Sequence, residues 1–528
     1  MGRGHLVPMV ELARFITTHH NATISATLLL PSPPNTSTLH YISAVTAATP
    51  SITFHNLSHS NHNIIRTLQS FPTKPKAFIF DFFNHSAAAA AASLSIPTFY
   101  YFPNAASCVA LFLYLPTIHQ NSIKNGYSYV DMLRSIPGLP PLSPEDMPAP
   151  ISDRHSRSYE SFLTMSLQMR NSNGIIVNTF ENLEPKATMA LKNGACVPEP
   201  KTSPPVFCVG PLVSTIRGSD PVGDDGGKEC LSWLNSQPSR SVVFLSFGSY
   251  GRFSKVQMRE IAVALERSGK RFLWVVRDPM GTEEINLEAL LTKGFLERTK
   301  EKGMVIKNWA PQVEVLSHDS VGGFVTHCGW NSVMEAVTFG VPMVAWPLYA
   351  EQNLNKVVIV EEMKVALPLK EDEGGFVRAS ELEERVVELM ESERGRGKEV
   401  RERVLAARNG GAAALAGGGF SRVALDELQF QKLWWRTPSL TLVVTLSDFP
   451  GRLSLSQYSP LFTFLPSPFS SSFPNPNPDA CHPQTVASSF RFGCHLSRSD
   501  HCRSSATTTV LFVEEEDVSI CAAACLCL

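Results

Sequence analysis

The sequence predicts an α/β protein built as two facing doubly wound, Rossmann-like domains with a cleft between them, followed by an atypical C-terminal tail. Three features carry that reading. Short apolar, β-branched runs recur up to about residue 430, each followed by a turn and a helical pattern, which is how buried strands of a parallel sheet read. A Gly- and Asp-rich stretch, too polar and flexible to pack, divides these runs into two sets. From Leu433 the periodicity stops, and Ser, Pro and Phe tracts take over together with six of the eleven cysteines. The expected boundaries are 1–208 for the first domain, 209–228 for the linker, 229–415 for the second domain, 416–432 for a helix crossing back, and 433–528 for a tail that is disordered or foreign to the fold. Removing everything after Lys432 should then leave the fold intact.

Met1-Gly2-Arg3-Gly4-His5-Leu6-Val7-Pro8 reads as a glycine-rich turn leading into an amphipathic helix, Met9 to Thr18. A parallel sheet places a strand of roughly five or six residues ahead of such a turn. None precedes it here, so His5 is a candidate without its scaffold. Thr23 to Leu30 and Ile52 to Leu57 read as strands. Ala77 to Asp81 is an apolar strand ending in a carboxylate, ahead of an Ala-rich helix at Ser86 to Leu94. Carboxyl ends of buried strands are where α/β proteins keep ligand-binding and catalytic groups; a cap for the helix is the other reading of Asp81. Ile96 to Phe102 is a strand, and the loop Pro103 to Ser107 should face a ligand. Pro137 to Pro150 is Pro-dense and must be loop. A helix (Tyr159 to Ser172), a strand (Gly174 to Asn178) and a helix (Glu181 to Leu191) complete the first domain. The second opens with a helix at Glu229 to Ser236 and the strand Val242 to Phe247, after which Gly248-Ser249 offers a close backbone approach to phosphate. Phe253 to Ser268 is a helix, and Arg271 to Arg277 and Met304 to Lys307 are strands. Later elements are a helix (Glu351 to Met363), a strand (Val365 to Leu369), a charged helix (Ser380 to Glu391) and the returning helix Arg422 to Lys432.

The stretch from Trp309 to Gln352 carries the chemistry. An apolar run, Gly322 to Thr326, ends in the turn His327-Cys328-Gly329-Trp330, a helix starts at Asn331-Ser332, and a second buried strand follows at Val341 to Trp346. With Asn331 and Ser332 as N-cap residues, the free N–H groups and the positive end of the helix dipole point toward an anion. His327, at the strand tip, can hydrogen-bond the same anion. Trp309, beside Ala310, offers a flat stacking face, and Gln312 an amide able to read the edge of a base. Glu335 is placed for a ribose diol, as acidic residues are in dinucleotide sites. Together these residues describe a nucleotide diphosphate pocket.

The stretch resembles the signature box of the plant secondary-product UDP-glycosyltransferases (family 1, GT-B fold), which move sugar from a UDP-sugar to small hydrophobic acceptors. Trp, Gln, His, Trp-Asn-Ser, Glu and Glu-Gln all recur at the family's spacing, and the resemblance extends from Met1 to about Leu428. It implies that Trp309 stacks on uracil, Gln312 meets its edge and Glu335 holds the ribose. His327, Asn331, Ser332 and Ser249 would bind the phosphates, while Trp330, Glu351 and Gln352 would grip the sugar. The terminal Gln implies glucose, since relatives using galactose tend to carry His there. The glycine-rich turn of the family follows a first strand and carries the catalytic base, which implies a His5–Asp81 dyad and inversion at the sugar. Similarity to flavonoid, chalcone and anthocyanidin O-glucosyltransferases implies a small phenolic acceptor. Two departures stand out: Pro103 replaces a Thr or Ser of many relatives, and the segment from Leu57 to Phe78 is short.

A formal charge of −2 argues against nucleic acid or an anionic membrane surface as partner. Cys108, Cys196, Cys208, Cys230 and Cys328 lack ligand-like spacing and suit a reducing compartment, so a cytoplasmic monomer is expected. No run approaches the roughly 20 apolar residues of a membrane span, and Asn21, Asn35, Asn56 and Asn84 would be glycosylation acceptors only in a secreted chain. No metal or further cofactor is expected, because Asp224-Asp225 and Glu371-Asp372-Glu373 sit in Gly-rich loops. In the tail, Cys494-His495 with His501-Cys502 lacks a surrounding zinc domain, and Cys525 to Leu528 formally fits a prenylation signal but follows the acidic run Glu514 to Asp517. Two rivals are a nicotinamide dehydrogenase, which Gly2-Arg3-Gly4 fits poorly, and a catalytically impaired nucleotide-sugar binder from a truncated or misassembled gene. The second is motivated by the missing first strand, the shortened segment after Leu57 and the alien tail, and the unscaffolded His5 predicts a weak or inactive chain.

Overall fold

Side chains alternate across a strand, and when both faces of a sheet are covered both sets must be apolar. On β3 (Ala77–Asp81), Phe78 and Phe80 enter one core while Ala77 and Ile79 enter another; on β4 (Thr98–Phe102), Tyr100 and Phe102 join the first core, Phe99 and Tyr101 the second. This alternation runs through the computed structural model, which describes residues 3–19, 24–57, 64–82, 85–198, 202–214, 225–279, 285–372, 374–391, 394–430 and 440–445. All of these belong to one compact unit spanning 1–453 with 519–528, and a second unit, 454–518, lies outside the described residues. The zinc-like and prenylation-like groups of the tail also lie outside them, as do Asp224, Glu373, Asn21 and Asn84.

The first sheet contains β1 (Ile24–Leu30), β2 (Ile52–Asn56), β3, β4, β5 (Gly174–Val177) and β6 (Val206–Cys208); the second contains β7 (Val242–Ser246), β8 (Arg271–Val276), β9 (Gly303–Lys307), β10 (Val321–Thr326), β11 (Met343–Ala345) and β12 (Ala366–Pro368). One more strand, β13 (Leu440–Thr445), joins the first sheet, giving the order β2-β1-β13-β3-β4-β5-β6, while the second runs β12-β11-β10-β7-β8-β9. Every pairing is parallel. Two doubly wound α/β halves are therefore present, as the sequence predicts. The reading of the tail as foreign to the fold does not hold for Leu440–Thr445: this β-branched, apolar segment sits between β1 and β3, with Val443 and Val444 buried in opposite cores.

Helix positions follow the sequence with informative shifts. The first helix is Arg3–Thr18, not Met9 to Thr18, so His5 lies in its first turns and Pro8 inside it. Pro8 lacks an N–H and leaves only one carbonyl of the opening turns without its helical donor, which the helix tolerates so near its start. Ala106–His119 has no side-chain cap at Ala105. The buried carboxylate of Glu184 replaces the cap, accepting from the N–H groups of Ala106 (2.8 Å) and Ser107 (2.9 Å) and from the hydroxyls of Ser107 (2.7 Å) and Thr179 (2.6 Å). That fixes the Pro103–Ser107 loop at the carboxyl end of β4. A helix over Ile64–Ser70 occupies the segment that looked short.

Gly395–Leu415 is a 21-residue helix that the sequence did not announce, because its glycines and alanines blur the apolar stripe. Phe420–Phe430 returns to the first half: Leu425 and Leu428 share a core with Leu6, Met9 and Val10, Ser421 Oγ donates to the Gly210 carbonyl at 2.5 Å, and Asp426 meets His19 at 2.9 Å. No described helix is long and apolar enough to cross a membrane.

Register in the second sheet shifts between Val321 and Gly323, and a Cβ on Gly322 would lie 2.2 Å from the Arg240 carbonyl oxygen. Gly322→Ala forces that backbone apart at about 1–3 kcal/mol, which in a half of this size lowers Tm by roughly 2–4 °C per kcal/mol. Thermal melts of the two proteins check this; equal midpoints would show that the bulge relaxes freely.

Candidate active site

Parallel strands bring their carboxyl ends to one rim, where backbone groups and loop side chains are available to a ligand. In the first sheet that rim holds Asp81, the last residue of β3 and 1% exposed. A carboxylate so buried requires a partner, and the opening helix supplies it: His5 Nδ1 lies 2.7 Å from Asp81 Oδ2. Taken as the donor, Nδ1–H leaves the ring's basic lone pair on Nε2. Burial pushes the His5 pKa down, but the charge and hydrogen bond of Asp81, with a smaller contribution from Glu351, outweigh it and the net shift is upward. Glu351 comes from the second half, so the two halves converge at this imidazole. Its own carboxyl is 3% exposed, and burial pushes it up to about 8 against the opposing effects of the Asn104 amide, His5 and Asn355. Asn355 Nδ2 donates to Glu351 Oε1 at 3.3 Å and to the Cys328 carbonyl at 2.9 Å, fastening the carboxylate to the end of β10.

The rim of the second sheet is built by the turn after β10. Cys328 has φ 66°, which reverses the chain so that Gly329 becomes the N-cap of the helix Trp330–Phe339. Asn331 and Ser332 are thus not the caps expected from sequence but lie within the first turn, and the glycine at the cap makes no side-chain cap bond of its own. His327 is 6% exposed, and a Cβ on Gly248 or Gly329 would fall 2.6 or 2.4 Å from its Nε2. Two glycines therefore let backbone close on the ring from the ends of β7 and β10. Burial, then the nearby Arg277, lowers its pKa to about 4, so it acts as a neutral hydrogen-bonding group rather than a cation. Positive charge at this rim comes from Arg277 and Arg252, whose mutual repulsion adds to burial in lowering the Arg277 pKa. Neither was singled out from sequence; the signal was their position at the strand ends beside Gly248-Ser249.

Gln312 begins a short helix, Gln312–Leu316, and its Nε2 donates to Glu335 Oε2 at 2.7 Å and Ser332 Oγ at 2.8 Å, uniting three predicted residues. Burial moves Glu335 up to about 7, against the Gln312 hydrogen bond, although its side chain keeps some contact with solvent. Trp309 stands half-buried next to buried Ala310, and Ser249 is exposed at the rim. Gln352 is fully buried: its Oε1 accepts from the N–H groups of Leu348 (2.8 Å) and Tyr349 (3.0 Å), while its buried Nε2 has no hydrogen-bond partner. The expectation that the Trp330 side chain grips a sugar is corrected. Its indole is fully buried and donates at 2.8 Å to the Asn178 carbonyl of the first half, so it joins the two halves and can offer a ligand only its backbone N–H. Among the described residues no group of three or more His, Cys, Asp or Glu could hold a metal ion.

Comparison with known proteins follows the same lines. The sequence profile described as "UDP-glucoronosyl and UDP-glucosyl transferase" matches residues 213–373. UDP-glycosyltransferase 13 of Pueraria montana var. lobata is 70% identical over 440 residues, 81% of this chain and 96% of that one. Isoflavone 7-O-glucosyltransferase 1 of Glycine max is 47% identical over 477 residues, 82% of this chain and 97% of the relative. Among solved structures, UGT2 of Phytolacca americana complexed with UDP-2fluoro-glucose and pterostilbene superposes with a TM-score of 0.70 at 35% identity, covering 81% of this chain and 97% of that one.

Glu351 makes stability depend on pH. Its folded pKa, about 8, lies above the ordinary carboxyl value of 4.5, so the folded state holds a proton that the unfolded chain gives up between those values. Its contribution is fully present below about pH 4.5 and is lost as pH rises toward 8. Glu351→Gln removes that dependence: in urea melts at pH 5, 6, 7 and 8 the variant gains on the parent at each step, by at most about 1.4 kcal/mol per unit. A constant difference across the series would show that the carboxyl ionises normally.

Proposed function

The chain belongs to the UDP-glucoronosyl and UDP-glucosyl transferase family, and from that premise we propose that it is an inverting, cytoplasmic and monomeric enzyme that transfers glucose from UDP-glucose to a hydroxyl of a small phenolic acceptor such as a flavonoid or chalcone. The observation that carries the mechanism is the 2.7 Å His5–Asp81 pair with Glu351 of the other half beside it. A relative named for isoflavone glucosylation, and a solved neighbour holding pterostilbene, support a phenol as acceptor.

In this reading His5 Nε2 takes the proton of the acceptor hydroxyl as the oxygen attacks the anomeric carbon from the face opposite UDP. Asp81 orients the imidazole and stabilises its charged form, as the acid of a His–Asp pair does. The bond to the diphosphate breaks with inversion, and charge accumulates on the leaving oxygen. The N–H groups of Trp330, Asn331 and Ser332, the His327 ring, Ser249 and the nearby Arg277 and Arg252 are the donors and charges available to it, and such preorganised electrostatics are usually the largest catalytic contribution. Trp309 with Ala310 would receive the uracil, Gln312 its edge, and Glu335 the ribose diol. Glu351 and Gln352 Nε2 would hold the glucose hydroxyls. Gln312, anchored on Ser332, holds Glu335 in place beforehand, which limits the ordering cost of donor binding. The residues for UDP-glucose require no metal ion.

Incubation with UDP-glucose and a panel of flavonoids, chalcones and stilbenes should release UDP and form an O-β-glucoside. No product from any phenol, with UDP bound, would sink the transferase reading. His5→Ala should lower kcat by about a hundred- to ten-thousandfold while UDP binding, confined to the second half, persists. Because Asp81 raises the His5 pKa, kcat of the parent should climb through an apparent value above 6.5, and Asp81→Asn should move that limb downward; an unmoved limb would detach Asp81 from the base.

Gln352→His tests the donor. The imidazole cannot keep both the Leu348 and Tyr349 N–H groups and the free amide donor. Competition assays should show use of UDP-glucose falling relative to UDP-galactose, and an unchanged ratio would remove Gln352 from sugar selection.

A further inference from the structure

We propose that Leu440–Thr445 is a functional strand of the first sheet that holds the His5–Asp81 pair in place, so that residues beyond the family-like part of the chain belong to the scaffold of the active site. β1 and β3 do not pair with each other; each pairs with β13. Neighbouring strands lie about 4.8 Å apart, so without an occupant the two would face each other across a gap on the order of 10 Å, both with open ladders. The register is continuous on both sides: Ile24 to Leu29 match Leu440 to Thr445, and Ala77 to Phe80 match Leu442 to Thr445. β13 therefore runs alongside β3 up to the residue before Asp81.

Its two faces fit the two cores. Val444, 1% exposed, lies in the core that holds Leu6, Met9, Val10 and Ala13 of the His5 helix, whereas Val443, fully buried, lies with Phe80 and Phe102. Thr445 is also fully buried. One strand thus contributes to the core into which the imidazole-bearing helix packs and flanks the strand that carries the carboxylate. The returning helix Phe420–Phe430 packs in the same core as Val444 through Leu425 and Leu428. The place between β1 and β3 is thus filled by a segment more than 350 residues further along the chain.

The positioning role rests on His5 as the base; the ladder itself does not. Hydrogen exchange on the full chain reads the ladder: amides of Leu442–Thr445 should exchange as slowly as those of β3, and exchange at open-chain rates overturns the strand. Val444→Pro removes an N–H and the ladder with it. We expect kcat to fall on the order of a hundredfold, the cost of roughly 1 Å of misplacement, with UDP affinity held within about twofold and the low-pH limb of kcat displaced; Val444→Ile should restore both. Parent-like kcat and pH limb in Val444→Pro overturn the proposal, and so does an equal loss of UDP binding, which marks general unfolding. His5→Ala separates the two readings, since full activity there removes the base while the exchange data still decide the strand.

Discussion

A carboxylate buried at the end of an apolar strand is the constraint from which the first half follows. Asp81 has Phe80 before it and Tyr101 beside it in the sheet, and water barely reaches it. An ion in such surroundings persists only with a hydrogen-bonded partner of complementary charge or polarity. His5 is that partner, so the helix that carries it must lie against the carboxyl edge of the sheet. Everything that fixes the helix, from Tyr101 OH donating to the Pro8 carbonyl at 3.2 Å to the core shared with β13 and Phe420–Phe430, serves the same distance.

The second half is organised around a different feature: a helix terminus at the rim of its sheet, whose N–H groups suit an anion. Gly329 in the cap position supplies no side-chain cap, and the His327 ring, kept neutral by burial and by Arg277, supplies a hydrogen-bonding group there. Arg277 follows β8 and Arg252 lies in the loop after β7, so positive charge gathers beside this rim. Trp330 then ties the halves together through Asn178, and Glu351 reaches across to sense His5. The two rims are thereby set in one frame, although the 253 positions between Asp81 and Glu335 are a separation that only the fold can close.

Local pattern made the second sheet, the box from Trp309 to Gln352 and the strand ending in Asp81 legible, because buried parallel strands read as apolar runs and strand ends as turns. Resemblance supplied the pairing of His5 with Asp81 before any geometry was available. Three features stayed hidden for physical reasons. Gly395–Leu415 has too many small residues for a periodic stripe. The Trp330 indole reads as a ligand contact until the Asn178 carbonyl is placed beneath it. Asn331 and Ser332 look like caps by composition, and only the positive φ of Cys328 moves the cap to Gly329.

By itself the sequence determined the two-sheet α/β class, the order of nearly all its strands along the chain and the chemical types gathered in the box, since each of these depends on neighbours within a few residues. Tertiary structure alone decided which segment lies between β1 and β3. Thr441-Leu442-Val443-Val444-Thr445 is one short β-prone run in a region otherwise without periodicity, and nothing local distinguishes a stray apolar run from a central strand. The difference lies in partners hundreds of residues away, because a parallel ladder draws its hydrogen bonds and both of its cores from segments that the chain brings together only on folding.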